Sequence, residues 1–397
     1  MRLVVLGGGG AMGRITVRAL AEDERVERVT VADVSLAAAE RTVAWLEAGR
    51  DKASAVAADV RDTATLTALL AEADVALNAT DYPFNLDVMR AALAARVSYA
   101  DLGGLFHMTR RQYELDREFR EAGLTAVLGI GSTPGITNLL ARIAVDQLET
   151  VERLDVRIGS SDEPPAGATF APPYSLRTIL DECTLEPMVY ADGAWGAVPP
   201  MSGEEAMQFP PPVGAMTAMY TLHSEVALFP VSFSERGLRS ASFKIAFPPE
   251  FLAQLRLIVA LGLARTDTIK VRAGKGRSAQ IVPRETLIAL LAERQAPVES
   301  REPSDCDVLR VVAHGMRDGQ DVELVEEMIV RPYTPWRVGA GEIDTGAPLA
   351  IAGMLLARGG HPTGALGAEC IFDPHKFLRE LARYGMRASE TSTRMLS

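Results

Sequence analysis

Glycines 7 to 10 run consecutively near the start of the chain and open the spacing Gly8-x-Gly10-x-x-Gly13. Glycines at these intervals suit a pyrophosphate. Gly8 permits a tight turn, Gly10 lets the backbone approach the anion, and Gly13 lets a following helix pack on the preceding strand. Ala11 and Met12 begin that helix, whose unpaired N–H groups and positive dipole end face the phosphates. Asp33 stands 33 − 13 = 20 residues beyond the last glycine, placed to accept hydrogen bonds from ribose hydroxyls and to repel a 2′-phosphate. The next residues, Val34-Ser35-Leu36, supply no arginine to hold such a phosphate, so the expected cofactor is NAD, with NADP less favoured.

Chemistry at a nicotinamide also needs a proton-handling group that titrates near neutrality and polar groups that orient a substrate. His223 meets the first need, with Glu225 to orient it or to bind an ammonium. Strand alternation would put both on one face, where a hydrogen-bonded pair at a rim is the plainer account. Asp101 closes an apolar run and is a comparable base or amine binder, or else the cap of the next turn. Tyr174 and Arg177 lie on one short helix and offer donors to a carboxylate, although a solvated face explains Arg177 almost as well. Lys244 sits inside an apolar strand and needs a partner, either an acid across the sheet or a substrate carboxylate. Asp81 and His107 lie beside the same strand ends. His314 is expected in a packed core, and His361 and His375 at the surface. No His, Cys or carboxylate cluster has metal spacing, so no metal is expected.

These residues need a frame. Strands and helices alternate through the first 145 residues, which implies a parallel, doubly wound sheet with helices on both faces. Ligands then lie outside the carboxyl ends of the strands. By that rule Asp59 and Val60 flank an adenine, while Asn78, Ala79 and Thr80 approach the nicotinamide ribose. Gly131 and Pro134, in the loop from Gly129 to Asn138, touch the nicotinamide end. The plainer alternatives are a helix cap at Asp59, a turn residue at Asn78 and a stiff connection at the loop.

From Val151 the pattern changes. A Gly/Pro-rich loop is expected at 160–173. Two long alternating segments flank Asp318-Gly319, a hairpin signal, and the segments around 151–158 and 241–247 are placed to pair beside them. The expected fold is α/β: a Rossmann doubly wound parallel sheet, plus an α+β second domain with an open mixed or antiparallel sheet. The expected boundaries are 1–145 for dinucleotide binding, 146–343 for substrate binding and dimerisation, and 344–397 for helices that return to the first domain. A second subunit is expected to cover the open sheet, making a homodimer.

Net charge −11 and pI near 5.1 argue against nucleic acid. No apolar run reaches the roughly 18 residues of a membrane span. The chain starts directly in the first strand, and its three cysteines are scattered, so a cytoplasmic protein is expected.

The glycine turn with Ala11-Met12-Gly13-Arg14, the Asp101-Leu102-Gly103-Gly104 loop and the Gly131-x-x-Pro134-Gly135-x-x-Asn138 segment together resemble the saccharopine dehydrogenase family, which includes saccharopine reductases and lysine 6-dehydrogenases. The likeness is strong over roughly the first 145 residues and weaker beyond. It implies hydride transfer at a carbon bearing an amino or secondary amino group of a small amino-acid or amine substrate. The family's reductases commonly use the phosphorylated cofactor, so Asp33 sides with the lysine 6-dehydrogenase branch. The expected activity is NAD-dependent oxidative deamination of a lysine-like substrate. The alternatives are a saccharopine-, opine- or carboxynorspermidine-type reductase that joins an amine to a carbonyl acid, and a non-catalytic dinucleotide-binding protein.

Overall fold

The computed structural model describes residues 1–161, 170, 172–272, 274, 277–294 and 302–394. Most of the Gly/Pro-rich loop expected at 160–173 lies outside the described residues.

The strands Arg2–Leu6, Arg28–Asp33, Ala53–Ala57, Val75–Asn78, Ser98–Asp101 and Thr125–Val127 form one parallel sheet. Its order, numbered along the chain, is 3-2-1-4-5-6, with Gly364–Leu366 added beyond the sixth strand. Helices cover both faces, so the central strands read as unbroken apolar runs. Leu3 to Leu6 and Val75 to Leu77 are wholly buried. The strand order reverses between Arg2–Leu6 and Val75–Asn78. The loops at that switch point, Gly7 to Gly10 and Ala79-Thr80, are the two walls of the crevice where such sheets bind ligands.

The second sheet has nine strands and is mixed. Its centre is Thr150–Ser161, parallel to Ser240–Ala246 on one side and antiparallel to Cys306–Arg317 on the other. The hairpin signal holds. Cys306–Arg317 pairs with Gln320–Val330 across Asp318 and Gly319, both in the left-handed region at φ 53 and 69. His314 is not in a core. It pairs with Glu323 at 2.7 Å on the polar face of the sheet.

The helix Ala340–Leu356 was expected to begin at Asp344 and to dock on the first domain. It starts four residues earlier and lies against the helix Ala11–Ala21. There Thr16 donates to the Gly346 carbonyl at 2.9 Å, and a Cβ on Gly346 would stand 2.5 Å from Ile15 Cβ. The C-terminus does not stay with the first domain. Gly364–Leu366 joins the parallel sheet, but Ala388–Arg394 crosses over and pairs with Gln320–Val330.

Candidate active site

The glycine cradle sits as its spacing requires, with one correction. The left-handed residue is Gly7, at φ +71, not Gly8. Gly8 must lack a side chain because a Cβ there would strike Val31 at 2.7 Å. At Gly13 a Cβ would stand 2.1 Å from the Gly7 carbonyl, the close helix-to-strand approach foreseen for it. The helix Ala11–Ala21 has no side-chain cap and no acid in its first turn, and Gly10 and Ala11 are exposed. Its N-terminus therefore fits an anion. Asp33 accepts from Gly9 N–H at 3.1 Å and Ser35 N–H at 2.9 Å, which fixes its carboxylate at the rim of the crevice beside Val34, 72% exposed.

Other expected cofactor contacts are spent inside the protein. Asn78 is buried. Its amide donates to Asn85 at 2.9 Å and Tyr99 at 3.1 Å, and its oxygen accepts from Thr80 N–H at 3.1 Å and the Thr80 hydroxyl at 2.6 Å. It shapes the Ala79-Thr80 wall instead of reaching a ligand by its side chain. Val60 is packed in the core with Leu66 and Leu70. Asp59 is gripped by the Arg61 guanidinium, which holds its carboxyl down to about 2, and the helix Thr63–Leu70 is capped by Asp62, not by Asp59.

The loop from Gly129 to Asn138 is held by four buried carboxylates from four parts of the chain. Asp101 accepts from Gly129 N–H at 2.8 Å, and Asp344 accepts from Ser132 at 2.8 Å. Glu225 accepts from Thr133 and, at 2.8 Å, from Thr137, while Glu369 accepts from Asn138 at 2.9 Å. Within the loop, Gly131 N–H donates to the Pro134 carbonyl at 2.8 Å. None of these pairings is visible in the spacing of the chain.

Asp101 takes three further bonds, from Tyr99 at 2.8 Å, Gln112 at 2.5 Å and Gly103 N–H at 2.9 Å. With four donors and almost no exposure it is a hub that sets two loops, which corrects its expected role as base or amine binder.

His223 and Glu225 do meet, although not by strand alternation. The strand ends at Tyr220, and Glu225 opens the helix Glu225–Ser232. Imidazole Nδ1 contacts Glu225 Oε2, and the ring stacks on Phe243 at 3.8 Å between centroids. Burial pushes the imidazolium down, but the Glu225 carboxylate outweighs it and His223 is raised. Burial likewise pushes Glu225 up, and His223 with the two threonines brings it below its ordinary value. Both shifts favour an imidazolium–carboxylate pair; the two side chains are 7% and 0% exposed, and Nε2 of the ring has no protein partner among the described residues. Ser224 binds Gly104 N–H at 3.3 Å, which ties this turn to the loop after the fifth strand.

The Tyr174 hydroxyl donates to Glu182 at 2.5 Å. Glu182 was missed, because a carboxylate in an amphipathic helix carries no sequence signal of burial by a distant turn. Two expected substrate anchors are corrected. Arg177 is forked onto Glu285 at 2.5 and 2.6 Å. Lys244 binds Glu205 at 2.7 Å and pairs in register with Arg157, on the face of the sheet opposite Phe243 and His223. Asp81 and His107 are exposed.

A switch-point crevice with an uncapped helix N-terminus at its floor fits the phosphates of a dinucleotide. Residues 3–127 match the family model described as saccharopine dehydrogenase NADP binding domain, and residues 131–386 match the saccharopine dehydrogenase C-terminal domain. The chain belongs to the saccharopine dehydrogenase family. It is similar to the carboxyaminopropylagmatine dehydrogenase of Synechocystis sp., at 24% identity over 97% of this chain and 96% of that one. It is also similar to the carboxynorspermidine synthase of Vibrio alginolyticus, at 22% identity with the same coverage. The fold is shared with the saccharopine dehydrogenase (L-Glu forming) of Saccharomyces cerevisiae, with a TM-score of 0.71, 19% identity and 99% of both chains covered.

Proposed function

We propose that this protein makes or breaks the secondary C–N bond between an amine and an amino-acid chain, as a dehydrogenase or reductase of a carboxylated polyamine. The observation that carries the reading is the buried His223–Glu225 pair, hydrogen-bonded through Thr133 and Thr137 to the loop at the cofactor end of the sheet. The relatives aligned along the whole chain bear names of that class, which favours this reading over deamination of lysine.

Joining an amine to a carbonyl releases water and leaves a C=N bond. A bound dihydronicotinamide supplies the hydride that reduces it. His223 Nε2 gives a proton to the departing hydroxyl and, in the reverse direction, takes one from the water that attacks the C=N bond, while Glu225 holds the ring and balances its charge. The net charge of −11 over the chain suits a cationic amine. We further propose NAD as the preferred dinucleotide: a carboxylate held, as Asp33 is, at the crevice rim repels a 2′-phosphate, and Arg61 is committed to Asp59.

The test follows absorbance at 340 nm. A diamine or agmatine together with an amino-acid aldehyde is expected to consume reduced cofactor. Formation of reduced cofactor from lysine alone, without consumption in the paired assay, would overturn the reading.

A further inference from the structure

Glu182 is 3% exposed, yet no lysine or arginine pairs with it among the described residues. Its side chain receives one hydrogen bond, from Tyr174, and its backbone carbonyl accepts from Leu222 N–H at 3.0 Å, which brings it against the turn that carries His223. A buried carboxylate without a cationic partner is expensive to keep charged. It persists where a neighbouring charge can appear beside it, and the neighbour here is an imidazole.

We propose that Glu182 is a positioning residue of the reaction: with Tyr174 it shares one mobile proton with the His223–Glu225 pair and thereby sets whether His223 is cationic or neutral. The proposal rests on the reading of His223 as the proton-handling group. With the proton on His223 the trio is carboxylate, imidazolium, carboxylate. With the proton on Glu182 it is carboxylic acid, imidazole, carboxylate. Both states carry a net charge of −1, so the proton relocates without changing the total charge buried in the site. Glu225 alone would keep the imidazole protonated. A second acid that accepts the proton lets His223 leave its cationic form in a dry site. The directions agree. Burial lifts Glu182 to about 7, with His223 opposing, and the Glu182 charge in turn favours imidazolium at His223.

The other groups around Glu182 do not supply the missing cation. Cys183, next in the chain, is held neutral by burial. Asp181 is occupied by Arg284 and by Tyr82 at 2.8 Å. Glu225 adds a like charge.

The test is an NMR titration of the His223 ring in the full chain, together with the pH profile of kcat/KM. Glu182→Gln fixes a neutral group in place. The His223 midpoint is expected to fall by about half a unit or more, since the groups titrate together. Turnover at neutral pH is expected to drop about tenfold or more with KM changed less than about threefold, and Glu182→Asp to recover part of it. If Glu182→Gln does not fold, Tyr174→Phe serves, because removing the donor makes Glu182 hold its proton to higher pH and moves the alkaline limb up. Unchanged His223 midpoints in whichever variant folds would overturn the proposal. The midpoint shift does not depend on turnover, so full activity in His223→Asn would sink the functional reading while leaving the titration to decide the role of Glu182.

Discussion

Asp33 carries the proposed choice between two related cofactors. Its carboxylate is pinned by Gly9 and Ser35 N–H groups and cannot swing away from an incoming phosphate. Asp33→Arg is expected to reverse the preference toward NADP by about tenfold or more in kcat/KM, a swing of about 1.4 kcal/mol that one fixed charge contact supplies. Paired kinetics with the two cofactors check it, and an unchanged ratio would remove Asp33 from the ribose contact. The same scale explains the misread residues. Asn78, Asp101, Arg177 and Lys244 have the chemistry of ligand-binding groups, and each satisfies it with another part of the protein. A buried polar group must find a partner, and a neighbouring segment serves as well as a substrate.

At the scale of elements, the C-terminal strand Ala388–Arg394 is held to the mixed sheet by an acid pair. Glu326 and Glu390 stand directly opposite in register, and Gln147 donates to both. Burial and the facing Glu390 push Glu326 up to about 8 from an ordinary 4.5. The folded chain therefore holds this proton more tightly than the unfolded one. Its contribution to stability is fully present below pH 4.5 and is lost as pH rises toward about 8. Glu326→Gln keeps a proton-bearing group at all pH values, so it is expected to raise Tm at pH 9 by about 3 °C or more while leaving Tm near pH 5 little changed. Thermal unfolding at the two pH values measures this. Equal gains at both would show that the pair does not titrate as described.

Across the whole molecule, acids outnumber bases by 52 to 41. Attraction of a cationic amine over distances beyond roughly 10 Å is screened by salt. For a doubly charged amine, kcat/KM is expected to fall about threefold or more between 20 mM and 500 mM ionic strength, whereas for the aldehyde partner it should stay level. A salt-independent kcat/KM for the amine would show that the net charge plays no part in capture. The site is assembled from both sheets. Helix Ala340–Leu356 carries Asp344 to the loop after the sixth strand while Gly346 packs on the glycine-motif helix, so one helix touches both the loop and the glycine motif.

Features that depend on neighbours a few residues apart were legible in the sequence. The glycine spacing, the acid ending the second strand, the alternation of strand and helix and the Asp318-Gly319 hairpin each follow from local backbone geometry. Their signals lie within a window of tens of residues. The Gly364–Leu366 and Ala388–Arg394 strands left no such signal, being short or polar and paired with distant partners. The acid–base centre also needed the tertiary structure. His223 and Glu225 are two residues apart in the chain, but the grip of Glu225 on Thr133 spans 92 residues. That no lysine or arginine pairs with Glu182 among the described residues depends on how the helix Leu176–Thr184 packs. Burial decides whether a carboxylate is a solvated surface charge or a proton-holding group, and burial is a property of the packed whole.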